Sequence, residues 1–142
     1  MQDTEEQFLT FAHRVSAAAN SHDIDRVVEC FTEDYVNESP AHPARGFRGR
    51  EQVRRNWTQI FATVPDITTK VVKAHQDGDL VWSEWEMQGT RLDGAEHLMR
   101  GVMLFTVEGD RASAVRFYLE LVDQADVDTD QAVRELLTEP RS

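Results

Sequence analysis

Three tight-turn dipeptides, Asp77-Gly78, Asp93-Gly94 and Gly109-Asp110, cut the second half of this chain into segments of strand length. Glycine supplies the positive φ that primed hairpin turns require, so the punctuation predicts four strands, over 67–76, 80–90, 95–107 and 111–122, joined as an antiparallel meander. A meander must bury one of its faces, and the residues before it supply the cover. Phe8, Phe11, Ala12, Val15 and Ala18 recur at helical spacing, and the polar break Asn20-Ser21-His22-Asp23 ends that helix and caps a second, with Ile24, Val27, Val28 and Phe31 as its apolar stripe. A short strand over 34–39 follows, and two prolines and two glycines make 40–49 a loop. A third helix from Arg50 to Thr63 turns Val53, Trp57, Ile60, Phe61 and Val64 to one side and stops at Pro65.

The expected fold is therefore α+β: three N-terminal helices packed in the concave face of a curled, mainly antiparallel sheet, a cone-shaped α+β barrel. Residues 1–142 are expected to form a single domain, with 123–142 as a tail in which Val133, Leu136 and Leu137 mark a short docking helix. A curled sheet leaves a conical cavity between its concave face and the helices, a place for small molecules.

Charge narrows the partners. With 26 acidic against 15 basic residues the formal net charge is -11, which argues against a surface that tracks nucleic-acid phosphates. The one basic run, Arg45, Arg48, Arg50, Arg54 and Arg55, is either a solvated face or a meeting point for an anion or a partner subunit. The start, MQDTEEQ, is acidic and polar, unlike a secretory signal, and no apolar run is long enough to cross a bilayer, so a cytoplasmic protein without membrane contact is expected. Cys30, the single cysteine, rules out an internal disulfide and a cysteine-built metal site, and reads as a small core residue. His13, His22 and His75 lack metal-ligand spacing; neither metal nor cofactor is expected.

Within the strand over 80–90, LVWSEWEMQGT, side-chain alternation puts Trp82, Glu84, Glu86 and Gln88 on one face and Val81, Ser83, Trp85 and Met87 on the other. Two neighbouring carboxylates either form a solvated outer row or line a pocket, where desolvation and mutual repulsion would raise their shared pKa for acid-base work. Glu38, at a strand end before Pro40, is either pocket or rim. Trp57, Phe61, Met99, Met103, Phe117 and Leu119 are core residues that double as the apolar wall of a cavity.

Three successive blocks, NSHDIDRVVECFTEDYVNESP, GREQVRRNWTQIFATVPDI and MRGVMLFTVEGDRASAVRFYLELVD, resemble SnoaL-like domains of the nuclear transport factor 2-like superfamily, in order and over nearly the whole chain. The resemblance implies the cone-shaped fold, sheet-to-sheet homodimers, and a scaffold shared by isomerases, dehydratases, cyclases, epoxide hydrolases and non-catalytic binding modules. Carried over position by position, the ketosteroid isomerase base falls on Ser39 and its hydrogen-bonding Asp on Met103, neither of which can do that work. The limonene epoxide hydrolase set falls on Glu84, Glu86 and Phe117, which keeps one carboxylate of its Asp-Arg-Asp; Glu38 falls near a polar pocket position of the first strand. Glu120 lies nearest the last-strand Asp of the cyclases, but its face with Arg116 and Tyr118 suits a subunit interface. His97 and His42 read as exposed residues that could reach the cavity or act in a lid.

Two functions follow as expectations. One is a cofactor-independent enzyme that hydrates, dehydrates, isomerises or cyclises a small hydrophobic substrate with Glu84, Glu86 and Glu38 as acid-base groups. The other is a non-catalytic ligand-binding or stress-associated module on the same fold.

Overall fold

A computed structural model describes residues 9–138 of the chain. Phe8 and the ends of the expected 1–142 domain lie outside the described residues. Helix α1, Phe11–Asn20, opens on Thr10, whose hydroxyl accepts from the Ala12 amide at 3.1 Å while the His13 Nδ1 accepts from the Thr10 amide at 3.0 Å. Its buried face is Phe11, Ala12, Val15, Ser16, Ala18 and Ala19. His22, at φ 58°, turns the chain, and the Asp23 carboxylate caps α2, Ile24–Val28. Strand β1 spans Phe31–Glu38, three residues earlier than expected: Phe31 is the first strand residue rather than the last of a helical stripe. Cys30 sits buried between the two elements, and burial pushes its thiol pKa up.

The expected loop over 40–49 holds a single 3-10 turn, Pro43–Arg45, and a two-residue strand β2, Phe47–Arg48, paired with β1. Helix α3, Arg50–Thr63, has the expected bounds. The meander follows as β3, Thr68–Asp77, β4, Leu80–Thr90, β5, Glu96–Glu108, and β6, Arg111–Leu121, within one residue of expectation at every end.

All six strands form one sheet in the order β2-β1-β6-β5-β4-β3. Every neighbouring pair is antiparallel except β1 and β6, which run parallel, so the sheet is mixed. It is open, with β2 and β3 as its edges, and the helices pack on it in the expected α+β arrangement. Helix α1 and the edge strand β3 are tied through Asn20, whose amide accepts from the Thr69 N–H at 2.7 Å and donates to the Thr69 carbonyl at 2.9 Å, as a neighbouring strand would. Gly101 occurs where β5 and β6 press together: a Cβ there would stand 2.1 Å from the Tyr118 carbonyl oxygen.

A tail helix α4, Thr129–Thr138, forms as the apolar spacing predicted, yet it does not dock. Val133, Leu136 and Leu137 are 47%, 73% and 81% exposed. No helix among the described residues is long and apolar enough to cross a membrane.

Candidate functional site

Between the concave face of the sheet and helices α1 and α3 lies a cavity of about 270 Å³. Its wall is written by strand alternation: Trp85 and Met87 from β4, Met99, Met103 and Phe105 from β5, Phe117 and Leu119 from β6, and Phe31 and Tyr35 from β1 all point inward. Helix α3 closes the opposite side with Val53, Trp57 and Ile60, spaced three and four residues apart on one face.

The wall is braced from within. Trp85 is 1% exposed, and its indole N–H donates to the Ser83 hydroxyl at 2.8 Å; that hydroxyl, itself fully buried, donates to the Met103 carbonyl at 2.7 Å. One serine thus satisfies the buried indole and binds β4 to β5. Trp85 packs edge-on to Phe105, and Phe105 in turn to Phe11 of α1.

Few polar groups line the cavity: Asn37 on β1, Ser39 just past its end, Arg45 on the 3-10 turn and Asn56 on α3. The Ser39 hydroxyl donates to Asn37 Oδ1 at 3.3 Å. Among the lining side chains only Tyr35 and Arg45, besides these amides and the hydroxyl, carry polar atoms outside the Trp57 and Trp85 indoles, and none is a carboxylate or an imidazole. Burial raises the Tyr35 pKa well above its ordinary value, with the neighbouring Asn37 amide opposing, so the phenol stays protonated.

Five of the six residues expected in the apolar wall, Trp57, Met99, Met103, Phe117 and Leu119, line the cavity. Phe61 does not; it braces the wall from behind, with its ring 5.5 Å from Trp57 and stacked 4.7 Å from His22.

The carboxylates correct the expectation. Glu84 and Glu86 alternate with the buried residues of β4 and so project from the convex face, away from the cavity. Glu86 stands opposite Lys70 on β3 and Arg100 on β5, with Arg100 Nε at 3.4 Å from its carboxylate; Glu84 stands opposite Lys73. Arg100 in turn faces Glu120, which accepts from His42 Nε2 at 2.5 Å. Glu86 therefore belongs to a cross-strand row of alternating charge, and Glu84 to a single pairing with Lys73 on the same outer face. Glu38 also points outward, toward Arg116 at 3.3 Å, because the inward positions here are Tyr35 and Asn37 of β1 and Ser39 just past its end. His97 falls in a separate shallow cleft beside Arg91 and the end of α3, where burial, and then Arg91, lower its pKa. No cluster of His, Cys, Asp or Glu among the described residues could hold a metal ion.

Sequence reasoning passed over Asn37 and Asn56, and named Arg45 only within the basic run, as either a solvated residue or one that meets an anion or a partner subunit. The signal for Asn37 was there: it shares a face with Ser39, whereas Glu38 between them cannot. Arg45 and Asn56 sit on different elements, and only the tertiary fold brings them to one cavity.

Comparison with known proteins agrees with this fold. No curated protein matches the chain. Among solved structures, an uncharacterised cystatin-fold protein from Novosphingobium aromaticivorans is 27% identical, with a TM-score of 0.62 over 76% of this chain and 94% of that one. SalBIII, described as an epoxide hydrolase/cyclase-like enzyme in pyran ring formation in salinomycin, is 21% identical, with a TM-score of 0.67 over 86% and 95%. A hypothetical protein with a ketosteroid isomerase-like fold from Catenulispora acidiphila, in complex with trimethylamine, is 19% identical, with a TM-score of 0.64 over 76% and 84%. The SnoaL-like domain family matches residues 12–115, most of the chain, and with that match the protein belongs to the SnoaL-like domain family.

Proposed function

We propose that this protein is a small-molecule pocket protein that binds a mostly apolar ligand without performing acid-base chemistry on it. One observation carries the reading: a cavity of about 270 Å³ whose wall is mainly aliphatic, thioether and aromatic, with few polar groups. General acid-base catalysis needs a group within hydrogen-bond reach of the reacting atoms whose pKa lies near the working pH. Among the lining side chains Tyr35 is held protonated by burial, and Arg45 offers a guanidinium that can only donate hydrogen bonds. Glu38, Glu84 and Glu86 stand on the other side of the sheet. The reading of the chain as an acid-base enzyme built on those three residues loses its geometry, while the alternative, a binding module, keeps all of its own.

Titration with neutral straight-chain alcohols tests the proposal, because they report the apolar wall alone. Trp57 and Trp85 both line the cavity, so binding is expected to change tryptophan fluorescence saturably. At about 0.8 kcal/mol per buried methylene, each carbon from hexan-1-ol to octan-1-ol should tighten binding about fourfold. Met99→Trp should fill the space and abolish the calorimetric signal. A response that neither saturates nor depends on chain length overturns the reading.

A further inference from the structure

We propose, resting on the pocket reading above, that the cavity selects small apolar anions, carboxylates above all, and that Arg45 and Asn56 are the residues that read the anionic group. The polar side chains that line the cavity offer donors, and a chain of hydrogen bonds fixes why. Arg55, which can only donate, gives its Nη2–H to Gln52 Oε1 at 2.6 Å. That contact turns the Gln52 Nε2 toward Asn56, where it donates to Oδ1 at 2.8 Å. The Asn56 oxygen is thereby engaged, and its NH₂ group is the part left to a ligand. Asn37 is engaged at both ends, its Oδ1 accepting from the Ser39 hydroxyl and its amide facing the Tyr35 phenol, which leaves Asn56 as the amide free to donate. Arg45 adds a guanidinium, which has five donors and no acceptor.

Charge separates an anion from a neutral acceptor. Of the five arginines in the basic run, Arg50 is paired with Glu33 and Arg54 with Asp25, while Arg55 is engaged by Gln52. Arg45 has no carboxylate partner among the described residues, and it is the one of the five that lines the cavity. It is exposed, on the 3-10 turn, so it stands where the cavity meets solvent. A ligand carboxylate there would meet a two-pronged donor while its hydrocarbon chain occupied the wall. In a chain of net charge -11 the surrounding field repels anions, so a local cation at the opening is what such a ligand needs.

The test is a calorimetric comparison of octanoate, octan-1-ol and octylammonium at pH 7.5 and low salt, on the parent protein, Arg45→Gln and Asn56→Asp. Octanoate is expected to bind at least about tenfold tighter than octan-1-ol, and octylammonium weakest. Arg45→Gln should cost octanoate about tenfold and leave octan-1-ol within about twofold, and Asn56→Asp should weaken octanoate alone. Added salt should weaken octanoate selectively. Equal affinity for octanoate and octan-1-ol, tightest binding of octylammonium, or an Arg45→Gln loss shared equally by the alcohol overturns the proposal and leaves the apolar pocket standing. If octan-1-ol also fails to bind, the pocket reading itself has failed, and this proposal with it.

Discussion

Replacing Ser83 by alanine should damage this protein far more than removal of one small polar atom suggests. The Ser83 hydroxyl makes two bonds inside a fully buried site, donating to the Met103 carbonyl at 2.7 Å and accepting from the Trp85 indole at 2.8 Å. Loss of the first costs about 1 kcal/mol, and an indole N–H left buried without an acceptor costs about 1–3 kcal/mol, so Ser83→Ala should destabilise by about 2–4 kcal/mol. For a chain of this size that lowers the melting temperature by roughly 6–12 °C, at about 3 °C per kcal/mol. Urea unfolding should show the loss as a lower midpoint at an unchanged slope. The cause is checked by a double-mutant cycle with Trp85→Phe, which removes the indole N–H. In that background Ser83→Ala should cost only about 1 kcal/mol, a coupling of about 1–3 kcal/mol. A single-mutant cost under about 0.5 kcal/mol, or a cycle without coupling, would refute the claim that this serine is what satisfies the tryptophan.

Three further outcomes are expected. Glu84→Gln and Glu86→Gln should each change stability by less than about 0.5 kcal/mol at pH 7 and leave ligand titrations untouched, since both lie on the outer face; a large effect on binding would restore them to the site. Asp66 accepts from the Thr90 amide at 2.6 Å, and that bond, ahead of the others, holds its pKa below the ordinary 3.8. Because the folded value is the depressed one, its contribution is present above about pH 3.8 and lost as pH falls through the folded value. Asp66→Asn should therefore be less stable than the parent at pH 6 and converge with it in acid, as denaturation curves at the two pH values would record. The convex face displays Trp82 and Tyr118, 36% and 38% exposed, among Arg116, Glu120 and Arg100, and we expect it to pair two copies of the chain. Light scattering at micromolar concentration should give twice the monomer mass, and Tyr118→Glu should halve it; a parent monomer would sink the expectation.

Much of this architecture could be read from the chain because its signals are local. Turn glycines fixed the meander, and the 3.6 period with Pro65 fixed α3 to the residue. What escaped depends on distance. Parallel pairing of β1 with β6 joins residues some eighty positions apart and leaves no mark in either segment. The tail shows why a correct element can carry a wrong contact: Val133, Leu136 and Leu137 make an amphipathic helix whatever lies beside it. The face of β4 was a closer matter. Both of its faces carry a tryptophan, so aromatic content could not choose between them. The quieter company of Trp85, with Val81, Ser83 and Met87 against Glu84, Glu86 and Gln88, did mark the buried side; the glutamates were drawn inward only by analogy with relatives that keep carboxylates in their cavities.

The two-residue alternation of β4, β5 and β6 also makes this protein unusually divisible for an engineer. Codons at 85, 87, 99, 103, 117 and 119 write the interior, while those at 84, 86, 100, 116, 118 and 120, interleaved along the same strands, write the exterior. A library confined to the first set could retune what the cavity accepts and leave solubility and self-association alone, and one confined to the second could do the reverse, so the two traits can be selected in separate rounds and then combined.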